Sequence, residues 1–118
     1  MRNFGQIVSM QNMSKVNTLT FGEYIRQLRE VADLPLRKVA AELDIDTSTL
    51  SKIEKNERNA NSQIIEGLAR IFNVKKSDLK VRYLSDKITY QLLYEEEGIE
   101  ILKVAEEKML YFKQMDNK

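Results

Sequence analysis

The chain has 118 residues, of which 42% are hydrophobic and 31% are charged, and its net charge is +1. This predicts one domain, or one domain plus an extension, with no apolar run near the roughly 20 residues of a membrane span and no signal-peptide pattern. Cysteine and histidine are absent, so we expect a cytoplasmic protein without a disulfide framework, catalytic residues, metal ions or cofactors.

Residues 1–19 show no sustained hydrophobic period and predict a disordered leader. Two interpretations of this segment remain open at this point. It is either a functional arm, with Arg2 and Lys15 as its contacts to a partner, or a chain end without a function of its own.

A first helix is predicted from the capping box that Thr20 and Glu23 form, with a hydroxyl at the cap and a carboxylate three residues later. The helix should run to about Ala32. Its spacing places one set of apolar residues toward the core: Phe21, Ile25, Leu28, and either Val31 or Ala32.

Residues 34–54 predict two short helices joined by a tight turn, and the rest of the chain is organised around them. Pro35 suits the first position of the earlier helix of this pair. The apolar face of that helix repeats at i, i+3, i+4 and i+7 through Leu36, Val39, Ala40 and Leu43. Asp46 is the predicted N-cap of the second helix, with its carboxylate as acceptor. That helix buries Leu50 and Ile53, and its outer face is left with hydroxyl and cationic residues. The pattern is typical of a helix-turn-helix whose second helix enters the DNA major groove.

Two further helices complete a predicted five-helix domain at 20–84. Asn61 should cap the fourth helix, Asn56 and Asn73 suit left-handed C-caps, and Gly67 is explained by close packing. Ser77 to Leu84 forms the predicted fifth helix.

Residues 85–118 predict a C-terminal helical extension, interrupted near Gly98. An apolar seam recurs at spacings of 3, 4 and 3 through Leu102, Ala105, Met109 and Phe112. Such a helix is not stable alone in water. It either folds back on its own domain or pairs with a second chain, and we favour pairing as a dimerisation element. This segment carries a charge of −3, against +2 for residues 20–84.

Residues 20–79 resemble the Cro/CI-type (XRE) helix-turn-helix family of phage repressors and bacterial regulators. The family pattern is matched by Ala40 in the first motif helix, by Ile45 after the turn and by the segment 47–54. Leu36 stands where the family usually has Gln, and Asp44 where it usually has Gly. The resemblance implies an all-α, five-helix, lambda-repressor-like DNA-binding domain.

The resemblance also implies roles for particular residues. Thr47, Ser48 and Lys52 occupy its base-reading positions, and Arg29 should form a structural ion pair with Glu54. Phosphate contacts are predicted for five residues around them: Arg37, Lys38, Thr49, Lys55 and Arg58. For Arg37 and Lys38, a merely solvated helix face is the alternative.

The predicted function is therefore a sequence-specific transcriptional regulator that binds double-stranded DNA as a homodimer on a palindromic operator. The alternative is a protein-interaction module, such as an antitoxin whose acidic C-terminal helix covers a protein partner. An enzyme is the weakest hypothesis, because no nucleophile–base pair, phosphate-binding loop or metal-ligand spacing is present.

Overall fold

A computed structural model describes residues 18–116, so the predicted leader, with Arg2 and Lys15, lies outside the described residues except for its last two positions. Six helices follow one another between residues 21 and 116, and no strand occurs in the described part of the chain. They are α1 (Phe21–Val31), α2 (Leu36–Glu42), α3 (Thr47–Glu54), α4 (Ser62–Phe72), α5 (Lys76–Leu92) and α6 (Gly98–Asp116). The predicted all-α class is confirmed.

The chain divides into two compact units between Leu84 and Ser85. We call the unit up to Leu84 the head and the unit from Ser85 onward the tail. The predicted end of the fifth helix at Leu84 is wrong, because α5 continues to Leu92 and so contributes to both units. No glycine or proline interrupts the sequence between Lys76 and Leu92, so nothing local stops the helix there.

The core of the head consists of one buried face from each of α1 to α4, closed by the first half of α5. Its buried apolar residues are Phe21, Ile25, Val39, Ala40, Leu50, Ile53, Ala60, Ile64, Ile65, Leu68, Ala69 and Leu79. The Tyr83 ring meets the Phe21 ring edge-on at 5.1 Å, and the Tyr83 hydroxyl accepts a hydrogen bond from the Ala60 N–H at 3.1 Å. The inward position predicted for Val31 or Ala32 is wrong, since both are exposed where α1 ends.

Four helices of the head end in the same way, with an Asp or Asn in the left-handed region. These residues are Asp33, Asp44, Asn56 and Asn73, with φ between 53° and 63°. In each case the next residue donates its N–H back to a carbonyl of the last helical turn, at 2.8 to 3.1 Å. This is the Schellman arrangement, which satisfies carbonyls that a helix end leaves without partners. The sequence pointed to three of these positions and missed Asp33.

The tail consists of the end of α5, a turn at 93–97 and α6. The predicted interruption near Gly98 is confirmed. The Leu92 carbonyl accepts from the Glu95 N–H at 3.0 Å, and a Cβ at Gly98 would lie 2.7 Å from the same oxygen. None of the 19 residues of α6 is buried.

Candidate nucleic-acid interface

The turn between α2 and α3 fixes the direction in which α3 leaves. Asp44 has a φ of 58°, and its N–H donates to the Ala41 carbonyl at 3.1 Å. The Ile45 N–H donates to the Ala40 carbonyl at 3.0 Å. An aspartate therefore serves here in the conformation that glycine adopts most readily.

The inner face of α3 is locked into the core of the head. Leu50 and Ile53 are fully buried, as is Ala40 on α2, whose small side chain permits a close approach of two helices. Asp46 occupies the predicted N-cap position, but its side chain makes no capping hydrogen bond, so that part of the prediction is wrong. Packing, rather than this cap, holds the start of α3. Pro35 likewise lies one position before the helix it was predicted to open.

A bidentate ion pair joins the end of α3 to α1. Arg29 donates from Nε to Glu54 Oε2 at 2.8 Å and from Nη2 to Glu54 Oε1 at 3.1 Å. Its third contact runs from Nη1 to the Leu34 carbonyl at 3.0 Å. The hydrogen bonds that Arg29 donates to the Glu54 carboxylate raise the pKa of Arg29 above its usual value. The Glu54 side chain is only 5% exposed, so the structure brings these two residues together in a nearly dry site.

A second set of contacts at the same end of α3 was missed by the sequence analysis. Asn56 accepts from the Gly22 N–H at 3.2 Å and donates to Thr20 Oγ1 at 2.8 Å. One amide from beyond α3 thus satisfies a free N–H in the first turn of α1. The approach is very close, since a Cβ at Gly22 would lie 2.5 Å from the carbonyl oxygens of both Ile53 and Glu54. A glycine two residues after an N-cap was the only available signal for this contact.

The outer face of α3 carries the three predicted base-reading residues. Thr47, Ser48 and Lys52 are all exposed, and Ser48 and Lys52 are one turn apart on the same side of the helix. None of the three side chains has a hydrogen-bond or ion-pair partner among the described residues. Their polar atoms are therefore free to meet an external ligand.

The predicted phosphate-binding residues flank this face on both sides in sequence. Arg37 and Lys38 lie in the first turn of α2, and Lys55 and Arg58 follow α3; all four are exposed and lack an ion pair in the part of the chain that the structure describes. Thr49 is half-buried.

Arg58 and Thr49 share an open cleft with two carboxylates. Asp44 and Asp46 line this cleft together with them. These carboxylates place negative charge at the start of α3, so the surface around α3 is of mixed charge rather than uniformly basic.

Neither of two alternative site types occurs in the described chain. Within residues 18–116, no group of three or more acidic, histidine or cysteine side chains is arranged to hold a metal ion. No helix among the described residues is both long enough and apolar enough to cross a membrane.

The family model described as Helix-turn-helix matches residues 25–79, from the middle of α1 to the buried Leu79 in the first turn of α5. These residues form a helix-turn-helix domain of the XRE family. Searches of the curated proteins and of the solved structures gave no match. The domain has the all-helical arrangement expected of a lambda-repressor-like fold, and its family is one of DNA-binding regulators.

Proposed function

We propose that this protein is a sequence-specific transcriptional regulator that acts in the cytoplasm and binds a roughly palindromic operator as a homodimer, with α3 in the major groove. The observation that carries the proposal is the contrast between the two faces of α3. The inner face is held by the core and by Arg29 and Glu54, while the outer face presents short polar side chains without partners. A rigid helix with a free polar face is what direct readout of base edges requires.

In this proposal Lys52 donates to the O6 and N7 acceptors of guanine, while Thr47 and Ser48 bond base edges or contact a thymine methyl group. The surrounding residues Arg37, Lys38, Thr49, Lys55 and Arg58 bind phosphates and fix the position of the helix on the duplex. Because released counterions supply much of the affinity, binding should weaken steeply as salt rises.

The homodimer would place two copies of α3 one helical turn of DNA apart, about 34 Å. Support comes from the seam at Leu102, Ala105, Met109 and Phe112. Its three large side chains are between 44% and 59% exposed, although apolar side chains of this size are usually buried. We assign this seam to pairing between two copies.

A gel-shift titration against the protein's own upstream region tests the proposal. At two salt concentrations, with competitor DNA present, we expect a discrete complex that resists competition and weakens at the higher salt. Lys52→Ala or Thr47→Ala should lower specific affinity by about 1–3 kcal/mol, whereas Lys103→Ala, an exposed cation on α6, should not. Unchanged affinity in both α3 variants would refute the base-reading assignment.

Phosphate contacts have a separate signature. Lys55→Ala or Arg58→Ala should weaken binding to all sequences alike. Each should also reduce the slope of log affinity against log salt by about 1 per subunit, hence by about 2 for a dimer.

A second candidate function is a protein-interaction module on the same scaffold. The favouring observation is the unburied α6 beside the acidic run Glu95 to Glu97. Complete competition by non-specific DNA in the gel shift, together with capture of a neighbouring gene's product by the full chain, would support this alternative over operator binding.

A further inference from the structure

The outer side of α5 carries an apolar stripe with a basic edge. Val81, Leu84 and Ile88 are 68%, 44% and 47% exposed, and they lie on the side of α5 away from the buried Leu79. At 100° per residue, Lys80 and Lys87 project along one edge of this stripe. We call this surface the basic-edged stripe.

On α6, an apolar stripe with an acidic edge has the same layout. Ile101 and Val104 are 40% and 42% exposed and line an open groove together with Glu100. Glu100 and Glu107, seven residues apart, project along one edge of this stripe. We call this surface the acidic-edged stripe; it adjoins the seam through Leu102 and Met109, because the seam residue Ala105 lines the same groove.

The charge of the surrounding segments matches these edges. Residues 70–87 contain six basic and two acidic side chains, for a charge of +4, whereas residues 95–107 contain one basic and six acidic side chains, for −5. The two segments are the most strongly charged in the described chain and have opposite signs. They are therefore electrostatically complementary as docking partners.

The spacing of the charges sets an orientation and a register. In both helices the charged edge lies on the same rotational side of the apolar stripe, so the two edges meet only when the helices run antiparallel. Lys80 and Lys87 are about 10.5 Å apart along α5, and Glu100 and Glu107 are equally far apart along α6. Lys80 therefore lies opposite Glu107, and Lys87 opposite Glu100. The same register places Leu84 opposite Val104.

Lys108 also lines the groove, one turn beyond Val104 and almost in line with Ile101, so it ends the apolar part of the acidic-edged stripe. The two charge pairs along the edges, Lys80 with Glu107 and Lys87 with Glu100, are both attractive in this register.

The arrangement of the tail indicates that the α6 helix facing the basic-edged stripe belongs to another molecule. Where α5 meets α6, a cleft of about 240 Å³ is lined by Ile88 and Leu92 from α5 and by Ile99 and Leu102 from α6. The side of α6 that carries Leu102 thus lies toward the end of its own α5. Because Glu100 lies about 160° around the helix from Leu102, the acidic edge is directed away from the chain's own α5.

We infer that the acidic-edged stripe of α6 docks antiparallel on the basic-edged stripe of α5 in a second copy of this chain. In a two-fold dimer the contact is made twice, once in each direction. The inference rests on the homodimer of the proposed function and uses the face of α6 that adjoins the seam at Ala105. Each α6 would then contact both α5 and α6 of its partner.

Cysteine pairing tests the contact directly, because the natural chain contains no cysteine. Full-length Leu84→Cys and Val104→Cys chains, carrying tags of different size, are mixed and oxidised mildly with oxidised glutathione. We expect a mixed disulfide dimer as the main product. Leu110→Cys replaces Val104→Cys in the matched control; Leu110 is 61% exposed on another side of α6 and should give at least tenfold less mixed dimer.

Charge reversal gives a second, independent measurement. Lys80→Glu and Glu107→Lys should each raise the dimer dissociation constant about tenfold in sedimentation equilibrium, since two weak ion pairs per dimer become repulsive. The double variant should recover to within about threefold of the natural chain. Recovery in the double variant is an outcome that a general loss of folding does not produce.

The outcomes separate this inference from the proposed function. A chain that remains monomeric at all concentrations overturns the homodimer and this contact together. A stable dimer that forms no Leu84→Cys to Val104→Cys crosslink overturns this contact alone. A disulfide that forms within one chain at high dilution, when both substitutions are placed on the same molecule, also overturns it, because α6 would then cover its own α5.

Discussion

The fourth and sixth helices of this chain show how differently two amphipathic helices are used. In α4, five of eleven residues are buried, including Leu68 at the centre of the core. In α6, none of nineteen residues is buried, although the helix carries nine large hydrophobic side chains against five in α4. A helix draws most of its stability from packing of its apolar face, so the described chain supplies that packing for α4 but leaves the apolar side chains of α6 exposed.

The same contrast separates the surface around α3 from the tail. Around α3, every strong interaction fixes the helix within the head, and the exposed groups on its outer face are polar. Along α6, large apolar side chains are exposed beside charged ones. The proposed function accordingly gives the first surface to a hydrated, charged ligand and the second to another protein surface.

Matched truncations in the two regions should give the largest difference. Leu50→Ala should lower the free energy of unfolding by about 2–5 kcal/mol, because it leaves a cavity in a fully buried site. Leu102→Ala should lower the stability of the isolated monomer by less than about 1 kcal/mol, because that side chain is 44% exposed. Urea unfolding at low protein concentration measures both. Similar losses would mean that α6 is packed in the monomer.

Ion pairs offer a second comparison, between the buried pair at α3 and an exposed pair on α1. Glu54→Ala should cost about 3 kcal/mol, because it leaves the Arg29 charge without its carboxylate partner in a nearly buried site. Arg26→Ala should cost less than about 1 kcal/mol, since Arg26 and Glu30 are both more than half exposed. Thermal unfolding monitored by circular dichroism distinguishes them. Equal effects would show that the Arg29 pair is effectively solvated.

Two glycines of the head should respond unequally to an added methyl group. Gly22→Ala should cost about 1–3 kcal/mol, because the new Cβ would meet two backbone carbonyl oxygens that cannot move independently. At Gly67 the Cβ would meet only a methyl group of Leu43, and alanine favours the helix by about 1 kcal/mol, so Gly67→Ala should cost less. Chemical denaturation of both variants gives the order. A reversed order would contradict the close approach of α1 and α3.

The smallest effects are expected at the left-handed helix ends. Asn73→Gly should stabilise the head by up to about 1 kcal/mol, because glycine adopts this conformation without a steric cost. Asn56→Gly should instead destabilise it, because it removes the amide that bonds Gly22 and Thr20. The sign of the change in unfolding free energy is the measurement. A gain in stability at Asn56 would mean that its two hydrogen bonds contribute little.

Predictability differed between local and long-range features. The capping box at Thr20, the N-cap at Asn61 and the left-handed position of Asn73 followed from the residue types alone, and all three are present. Each depends on atoms within a few residues of one another, so the sequence pattern contains all of the partners. Asp46 is the exception. It occupies the N-cap position of α3, but its carboxylate makes no capping hydrogen bond, and packing fixes the start of this helix instead.

The sequence by itself determined that this protein is helical, that residues 25–79 carry a helix-turn-helix domain, and which side chains lie on the outer face of α3. Hydrophobic spacing and capping chemistry are local properties, and they suffice for those conclusions. Only the tertiary structure decided that Gly22 and Asn56 join α1 to the end of α3, and that no residue of α6 is buried by the described chain. Those features depend on contacts between residues far apart in sequence, for which no local pattern carries the information.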